Sequence, residues 1–255
     1  MKISKLKFGL VTGAGGFLGS KFSEFFSNKG YFVIAIDKNK KKLNQLKNKN
    51  LKKICADITK EKNILKIYNT LRKNSNICAL INNAAVDAVP IKNSLKNLKY
   101  PDLKTWHSEI DVSLIGTFLM IKYFGELMLK KKKGSIINIG SDLSLIAPNQ
   151  KIYKNAYENY IKPPTYSVIK HGLVGLTKYY ASLYGISNVR VNMISPGAIK
   201  NSQNKKLQNK IKDLTPMNRL GEYQDLFSVI DLLISDGSKF ITGQNIFIDG
   251  GRTII

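Results

Sequence analysis

Two side chains that could carry out proton chemistry lie four positions apart, at Tyr166 and Lys170 in the stretch TYSVIKHGL. On a helix this spacing places both side chains on the same face. A free tyrosine has a pKa of about 10, and a neighbouring ammonium group favours its ionised form. The pair could therefore work as a general acid and base, or it could be a structural tyrosine beside a solvated lysine.

A second chemical signal is the glycine-rich stretch TGAGGFLG at residues 12–19, which follows one predicted strand and opens a predicted helix. Gly13 and Gly15 allow a tight turn and a close approach to a pyrophosphate, and Gly19 allows the helix to lie close to the sheet. The free N–H groups of a helix N-terminus attract phosphate. This context predicts a dinucleotide-binding loop, with a tight turn that binds nothing as the alternative.

Two aspartates follow predicted strands. Asp37 comes about 20 residues after the glycine loop, where an acid binds the ribose hydroxyls of NAD and repels the extra phosphate of NADP. Lys38 leaves NADP open as the less favoured cofactor. Asp57 ends the next strand, where it either lies near the adenine ring or caps the helix that starts near Thr59.

Short apolar runs alternate with amphipathic helical patterns along the whole chain. This alternation predicts an α/β protein with a doubly wound parallel sheet, three layers and a single domain over residues 1–255. Strands are predicted at 8–12, 31–37, 51–57, 77–83, 134–140, 189–195 and 244–249, and the later helices at about 102–131, 165–185 and 223–235.

The chain carries 41 lysines and arginines against 17 acidic residues, a formal net charge of +24. The lysine runs are scattered and are not interleaved with aromatic side chains, so we expect no nucleic-acid partner, although a positive field can collect an anionic substrate. The longest apolar run is too short for a membrane span, which predicts no membrane partner. Cys55 and Cys78 lie in strand-like segments, which predicts reduced core residues and a cytoplasmic location. No ligand cluster indicates a metal site.

With these features in place, the chain resembles the short-chain dehydrogenase/reductase family over nearly its whole length. Any one of the matching motifs is weak, but six of them in the family's order are specific. They are TGAGGFLG (12–19), INNAA (81–85), IINIGS (136–141), YSVIK (166–170), RVNMISPGAI (190–199) and ITGQNIFIDGG (241–251).

The resemblance implies a Rossmann fold and a catalytic set of Ser141, Tyr166 and Lys170. Tyr166 matches the family's general acid and base, Lys170 supports the ionised tyrosine and binds the nicotinamide ribose, and Ser141 holds the substrate oxygen. It also implies a homodimer or homotetramer formed through two long helices. The implied cofactor contacts are Gly13, Gly15, Gly16, Phe17, Leu18, Asp37, Asp57, Ile58, Asn83, Ala84, Tyr166, Lys170, Pro196, Gly197 and Ile199.

The chain departs from the family pattern in ways that bear on the substrate. Ser113 stands where the family commonly has a catalytic asparagine. Ser141 and Tyr166 are 25 residues apart, a wider spacing than the family's. We expect the inserted segment 149–165 to form part of the substrate pocket, with a surface excursion or subunit contact as the alternative. A second substrate loop is expected near 200–222.

These departures resemble family members that act in bacterial surface-sugar synthesis, including flagellin-modification and nonulosonic acid pathways. We therefore expect an NAD(P)(H)-dependent oxidoreductase that interconverts a hydroxyl and a ketone on a small, anionic, sugar-derived substrate. The alternatives are a 3-oxoacyl-thioester-type reductase, or a non-catalytic protein that binds dinucleotides or polyanions.

Overall fold

The computed structural model describes residues 7–72, 76–86, 101–156 and 161–255. Within these ranges seven strands form one sheet in the order β3-β2-β1-β4-β5-β6-β7. Every neighbouring pair of strands is parallel. The strands are β1 (Phe8–Thr12), β2 (Phe32–Asp37), β3 (Leu51–Cys55), β4 (Ile77–Asn82), β5 (Gly134–Ile139), β6 (Val189–Pro196) and β7 (Asn245–Ile248).

Helices cover both faces of this sheet, which confirms the predicted doubly wound, three-layered α/β fold. The helices are α1 (Phe17–Asn28), α2 (Lys40–Asn44), α3 (Glu61–Leu71), α4 (Leu103–Lys131), α5 (Gln150–Ala156), α6 (Pro164–Tyr184), α7 (Lys205–Asp213) and α8 (Phe227–Ile234). Short 3₁₀ turns follow or precede several of them.

The side chains of each central strand alternate between two apolar cores, because successive side chains of a strand point to opposite faces of the sheet. Leu10 and Leu80 face the core that contains α4, whereas Val11 and Ile81 face the core that contains α1. All four side chains are fully buried. This two-sided burial explains why the strands read as nearly continuous apolar runs.

Helix α4 is long and apolar enough to cross a membrane by length and composition alone. However, 56% of its most apolar window is buried inside the protein. Met120, Phe124 and Met128 are fully buried against the sheet. The apolar character of α4 is therefore accounted for by its packing in the core.

Strand β3 lies at the edge of the sheet. The prediction that both cysteines are core residues is therefore wrong for Cys55. Cys55 ends this strand and is exposed, because β3 has only β2 as a neighbour. Cys78 on β4 is half-buried, and burial raises the pKa of its thiol. The cytoplasmic location stays a prediction.

The two segments that were expected near the substrate pack on one another. The segment 149–165 contains α5, although its residues 157–160 lie outside the described residues. Ile152 and Tyr153 of α5 form a small buried cluster with Leu207 and Ile211 of α7. The expected loop at 200–222 therefore contains a helix, because its leucine and isoleucine are four positions apart and share one buried face.

Candidate active site

The strand order places a cleft between β1 and β4, where the direction of winding reverses. Ligands of open parallel sheets bind at such a point, beyond the carboxyl ends of the strands. Thr12, the last residue of β1, is buried, and its hydroxyl accepts hydrogen bonds from the N–H groups of Asn83 and Ala84 at 3.0 and 3.1 Å. The Asn83 side chain in turn donates to the Thr12 carbonyl at 3.0 Å. The turn after β4 is thus locked onto the glycine loop.

The glycine loop leaves no room for a Cβ atom at two of its glycines. Gly13 has a φ of +62°, and a Cβ there would lie 2.8 Å from the Cα of Ala84. A Cβ on Gly19 would overlap the Gly13 carbonyl oxygen, so the first turn of α1 packs directly on the loop. Gly16 precedes α1 and gives it no side-chain cap. The first N–H groups of this helix therefore suit an anion.

Asp37 faces the loop across the cleft. One carboxylate oxygen accepts the N–H of Gly15 and the other accepts the N–H of Asn39, both at 2.8 Å. Each ionised oxygen has a second lone pair, so the carboxylate keeps capacity for two ribose hydroxyls. Lys38 and Lys42 line the same cleft. The end of the cleft therefore carries both an acid and two cations.

The cleft has a volume of about 370 Å³. Phe17 on its wall makes an edge-on contact with Tyr223, with ring centroids 6.4 Å apart. Gly15 was expected to approach the ligand, but a Cβ there would instead lie 2.9 Å from the Cβ of Lys42. The predicted cofactor residues that line the cleft are Gly13, Gly16, Phe17, Leu18, Asp37, Asp57, Ile58, Asn83 and Ala84.

Asp57 combines the two roles that its position left open. Its Oδ1 accepts the N–H and the hydroxyl of Thr59 at 2.9 and 2.8 Å, and the residue also lines the cleft. Burial raises the pKa of this carboxyl, but the bonds from Thr59 and the nearby Lys38 and Lys60 outweigh it and leave the pKa below 3.8. The carboxylate is therefore held in its charged form at the cleft wall.

Helix α6 brings Tyr166 and Lys170 to the carboxyl end of β5. Pro163 caps the start of this helix and Pro164 is its first residue, positions at which proline needs no N–H partner. Lys170 is buried, and its ammonium donates to the carbonyl of Ile139, the last residue of β5, at 3.1 Å. The same ammonium lies 5.5 Å from the centroid of the Tyr166 ring.

Ser141 follows β5 by two residues and is buried. Its hydroxyl donates to Asp142 Oδ1 at 2.8 Å and accepts the N–H of Leu143 at 3.2 Å. Asp142 Oδ2 lies 3.3 Å from the Nε of Arg252 in an ion pair whose side chains are 7% and 6% exposed. Arg252 thus pairs with the same carboxylate that accepts the hydrogen bond of Ser141.

The loop after β6 is fixed to the end of β7. The N–H of Gly197 donates to Ile248 at 3.0 Å, and a Cβ on Gly197 would lie 2.9 Å from the Cα of Asp249. Ile199 is buried and bridges to Gly221. Pro196, Gly197 and Ile199 do not line the cleft of the glycine loop, and neither do Ser141, Tyr166 and Lys170.

Ser113 lies in a π-helical turn of α4 at Asp111–Ile115. Its hydroxyl is buried and has no hydrogen-bond partner among the described residues. Its carbonyl accepts the Thr117 hydroxyl at 2.8 Å. π-helical turns in α-helices occur frequently at functional sites, and α4 has a second one at Ile121–Gly125. The turn alone therefore assigns Ser113 no role.

Several site residues escaped the motif analysis. Thr12 lies inside the glycine motif, but its bridging role depends on a pairing of β1 with β4. Asp142 and Arg252 come directly after two motifs but belong to neither, and Lys162 with its partner Gln150 lies in the insertion, which carries no motif. Only the excess spacing between Ser141 and Tyr166 indicated that additional side chains would enter here.

Comparison with known proteins gives consistent matches over the whole chain. A family model described as enoyl-(acyl carrier protein) reductase matches residues 14–253. The 3-oxoacyl-acyl-carrier-protein reductase FabG of Thermotoga maritima is 30% identical and covers 96% of this chain and 97% of its own. The NAD-dependent glycerol dehydrogenase of Listeria innocua is also 30% identical, over 97% of this chain and 94% of that relative.

One solved structure is similar to this chain in both fold and sequence. The crystal structure of a short chain dehydrogenase from Leptospira borgpetersenii, with bound NAD⁺, superimposes with a TM-score of 0.85. It is 31% identical in sequence, and the match covers 99% of this chain and 96% of that one.

Proposed function

The chain belongs to the short-chain dehydrogenase/reductase family and is an NAD(P)-dependent oxidoreductase, and we propose that it interconverts a hydroxyl group and a ketone on a small, anionic, sugar-derived substrate of surface-glycan synthesis. The observation that carries the proposed chemistry is the contact of the Lys170 ammonium with the end of β5 and with the Tyr166 ring, at the carboxyl edge of the sheet.

The proposed cofactor is NAD(H), with NADP(H) less favoured. The glycine loop leaves no room for a Cβ at Gly13, the start of α1 is uncapped, and Asp37 keeps free lone pairs, so these groups fit a dinucleotide. Asp37 would bind the adenosine ribose and the N-terminus of α1 the pyrophosphate. When bound, NAD(H) supplies the site that accepts or donates the hydride.

Each catalytic side chain then has one role. Tyr166 exchanges a proton with the substrate oxygen, as acid during reduction and as base during oxidation. Lys170 stabilises the ionised phenol, and its bond to Ile139 fixes its position. Ser141 holds the substrate oxygen beside the phenol, and its bond to Asp142 keeps the serine at the end of β5.

The anionic character of the substrate is supported by charge near Tyr166. The ammonium of Lys162 lies 3.8 Å from the centroid of the Tyr166 ring, and the whole chain carries a net charge of +24. A positive cleft raises the local concentration of anionic ligands. The proposal is therefore tested with matched pairs of anionic and neutral sugars, assayed with NAD⁺ and NADH. A higher kcat/KM for the anionic member is expected, and a preference for the neutral member would contradict it.

A second candidate is reduction of a 3-oxoacyl thioester, which the similarity to the Thermotoga reductase favours. The same assay with an acyl-carrier-protein thioester and NADPH separates the two. A kcat/KM for the thioester that exceeds every sugar value would replace the carbohydrate proposal and would leave the roles of the catalytic side chains unchanged.

We also propose that the protein is a homodimer or homotetramer. Helix α6 carries an exposed apolar stripe of Val168, Tyr179 and Leu183, and α4 exposes Ile115. Large apolar side chains exposed on these two long helices fit the interface that the family resemblance implies. Light scattering after gel filtration is expected to give two or four times the chain mass, and Leu183→Lys is expected to lower it. A wild-type mass of one chain would contradict the proposal.

A further inference from the structure

We propose that Lys162, supplied by the inserted segment, is a positioning residue whose ammonium acts together with Lys170 to stabilise the ionised form of Tyr166. This inference rests on the proposed function, since it assigns a role to Lys162 through the phenol of that reaction. It also gives the insertion a purpose beyond shaping a pocket, because the segment delivers a second cation to the reacting side chain.

The distances carry the inference. Lys162 Nζ lies 3.8 Å from the centroid of the Tyr166 ring, whereas Lys170 Nζ lies 5.5 Å from it. A cation over an aromatic ring is attracted by the electron density of its face. This attraction increases when the ring ionises, because the negative charge is shared between the oxygen and the ring. The closer of the two ammonium groups thus comes from the insertion.

Both backbone groups of Lys162 are hydrogen-bonded to the side chain of Gln150. The N–H of Lys162 donates to Gln150 Oε1 at 2.9 Å, and Gln150 Nε2 donates to the Lys162 carbonyl at 3.1 Å. Gln150 is the first residue of α5, and Lys162 directly precedes the Pro163 cap of α6. The carboxamide therefore ties the two ends of the insertion together and fixes the point from which the ammonium reaches Tyr166.

The described charged and titratable groups near the phenol, besides the two lysines, are Asp142, Arg252 and Tyr153. Asp142 and Arg252 form a buried ion pair, so their charges largely offset one another. Burial raises the pKa of Tyr153 on α5, which keeps its phenol neutral. The charges of four nearby groups also act on the pKa of Tyr153, namely those of Lys162, Arg252, Tyr166 and Asp142. The inference therefore rests on the positions of the two ammonium groups beside the Tyr166 ring.

The test is a spectroscopic titration of Tyr166 in the protein without substrate. The ultraviolet absorbance of tyrosinate is followed against pH, and the curve of the Tyr166→Phe variant is subtracted to isolate this one phenol. Lys162→Met is expected to move the titration of Tyr166 to higher pH by about one unit. This is the lower end of the range of pKa shifts caused by a nearby charge, because Lys162 is half-exposed. Lys162→Arg is expected to restore it.

Two variants serve as controls. Lys151→Met removes an exposed lysine from the same insertion and is expected to leave the titration unchanged. Gln150→Ala keeps the ammonium but removes its anchor, so a smaller shift in the same direction is expected. A Lys162→Met titration that coincides with wild type would overturn the inference. Because the readout needs no substrate, it stands apart from the sugar assays, whose failure would overturn the proposed function alone.

Discussion

The two halves of the candidate active site, the nucleotide cleft and the neighbouring catalytic set, are built from different groups. The nucleotide half, formed by residues 12–19, Asp37 and residues 83–84, consists mainly of backbone groups and small residues packed at contact distance. The substrate half, formed by Ser141 and Tyr166 with Asp142, Lys162, Lys170 and Arg252, depends on charged side chains from separate segments. The first half is therefore sensitive to an added methyl group, and the second to a removed charge.

The largest expected effect follows from breaking the buried ion pair of the substrate half. Arg252→Met leaves the Asp142 carboxylate buried and unpaired, which costs about 3–5 kcal/mol of unfolding free energy. Chemical denaturation measures this loss. The double variant with Asp142→Asn is expected to recover most of the stability, because the uncompensated charge is gone. Equal losses in the single and double variants would show that the pair is not the cause.

Adding one methyl group to a glycine tests the close packing of the nucleotide half. Gly19→Ala places a Cβ on the Gly13 carbonyl oxygen and is expected to destabilise the protein by about 1–3 kcal/mol, with a matching loss of NADH affinity. Gly185→Ala is the matched control, since nothing lies within 4 Å of its added Cβ. A Gly19→Ala protein that binds NADH like wild type would contradict the close packing of this half.

At the far end of the nucleotide half, Asp37 is the residue that we propose favours NAD over NADP. Asp37→Asn removes the charge that favours ribose hydroxyls over a phosphate, and hydrogen bonds to charged groups contribute about 1.5–3 kcal/mol. The ratio of kcat/KM for NAD⁺ over NADP⁺ is therefore expected to fall about 10- to 100-fold. An unchanged ratio would show that the Asp37 charge does not determine the preference.

The smallest effect concerns Asp57 and pH. Because the folded pKa of Asp57 is lowered, its contribution to stability is fully present above the ordinary value of 3.8 and is lost as the pH falls through the folded value. Asp57→Asn is expected to lower the Tm at neutral pH by the equivalent of less than about 1 kcal/mol. The difference from wild type is expected to vanish in acid, and a difference that stays constant with pH would contradict the assignment.

The two halves also differ in how far the sequence predicts them. The glycine loop, Asp37 and the turn at Asn83 were predicted because each follows a strand within a few residues, so local spacing determines their position. The doubly wound parallel sheet was predicted from the alternation of strands and helices and the family from six motifs in order, and both are confirmed. The pairing of Asp142 with Arg252 spans 110 residues, and no local pattern contains it.

Other differences have equally physical causes. Cys55 was placed in the core because it lies in a strand-like segment, but an edge strand has one unpaired side, and three of the five residues of β3 are exposed. The role of Lys162 depends on where the insertion returns to α6, which its length alone does not determine. The basic and aromatic composition of 149–165 indicated a contact with the substrate half, whereas the identity of the contacting lysine required the fold.

The central claim is that the phenol of Tyr166 transfers the proton of an NAD(H)-dependent redox reaction. Its most direct test is Tyr166→Phe, assayed on the best sugar substrate of the matched panel alongside a titration of NADH binding. The account predicts a fall in kcat of at least about 100-fold with unchanged NADH affinity, since general acid–base catalysis contributes about 10²- to 10⁴-fold. A variant that keeps most of its turnover would contradict it.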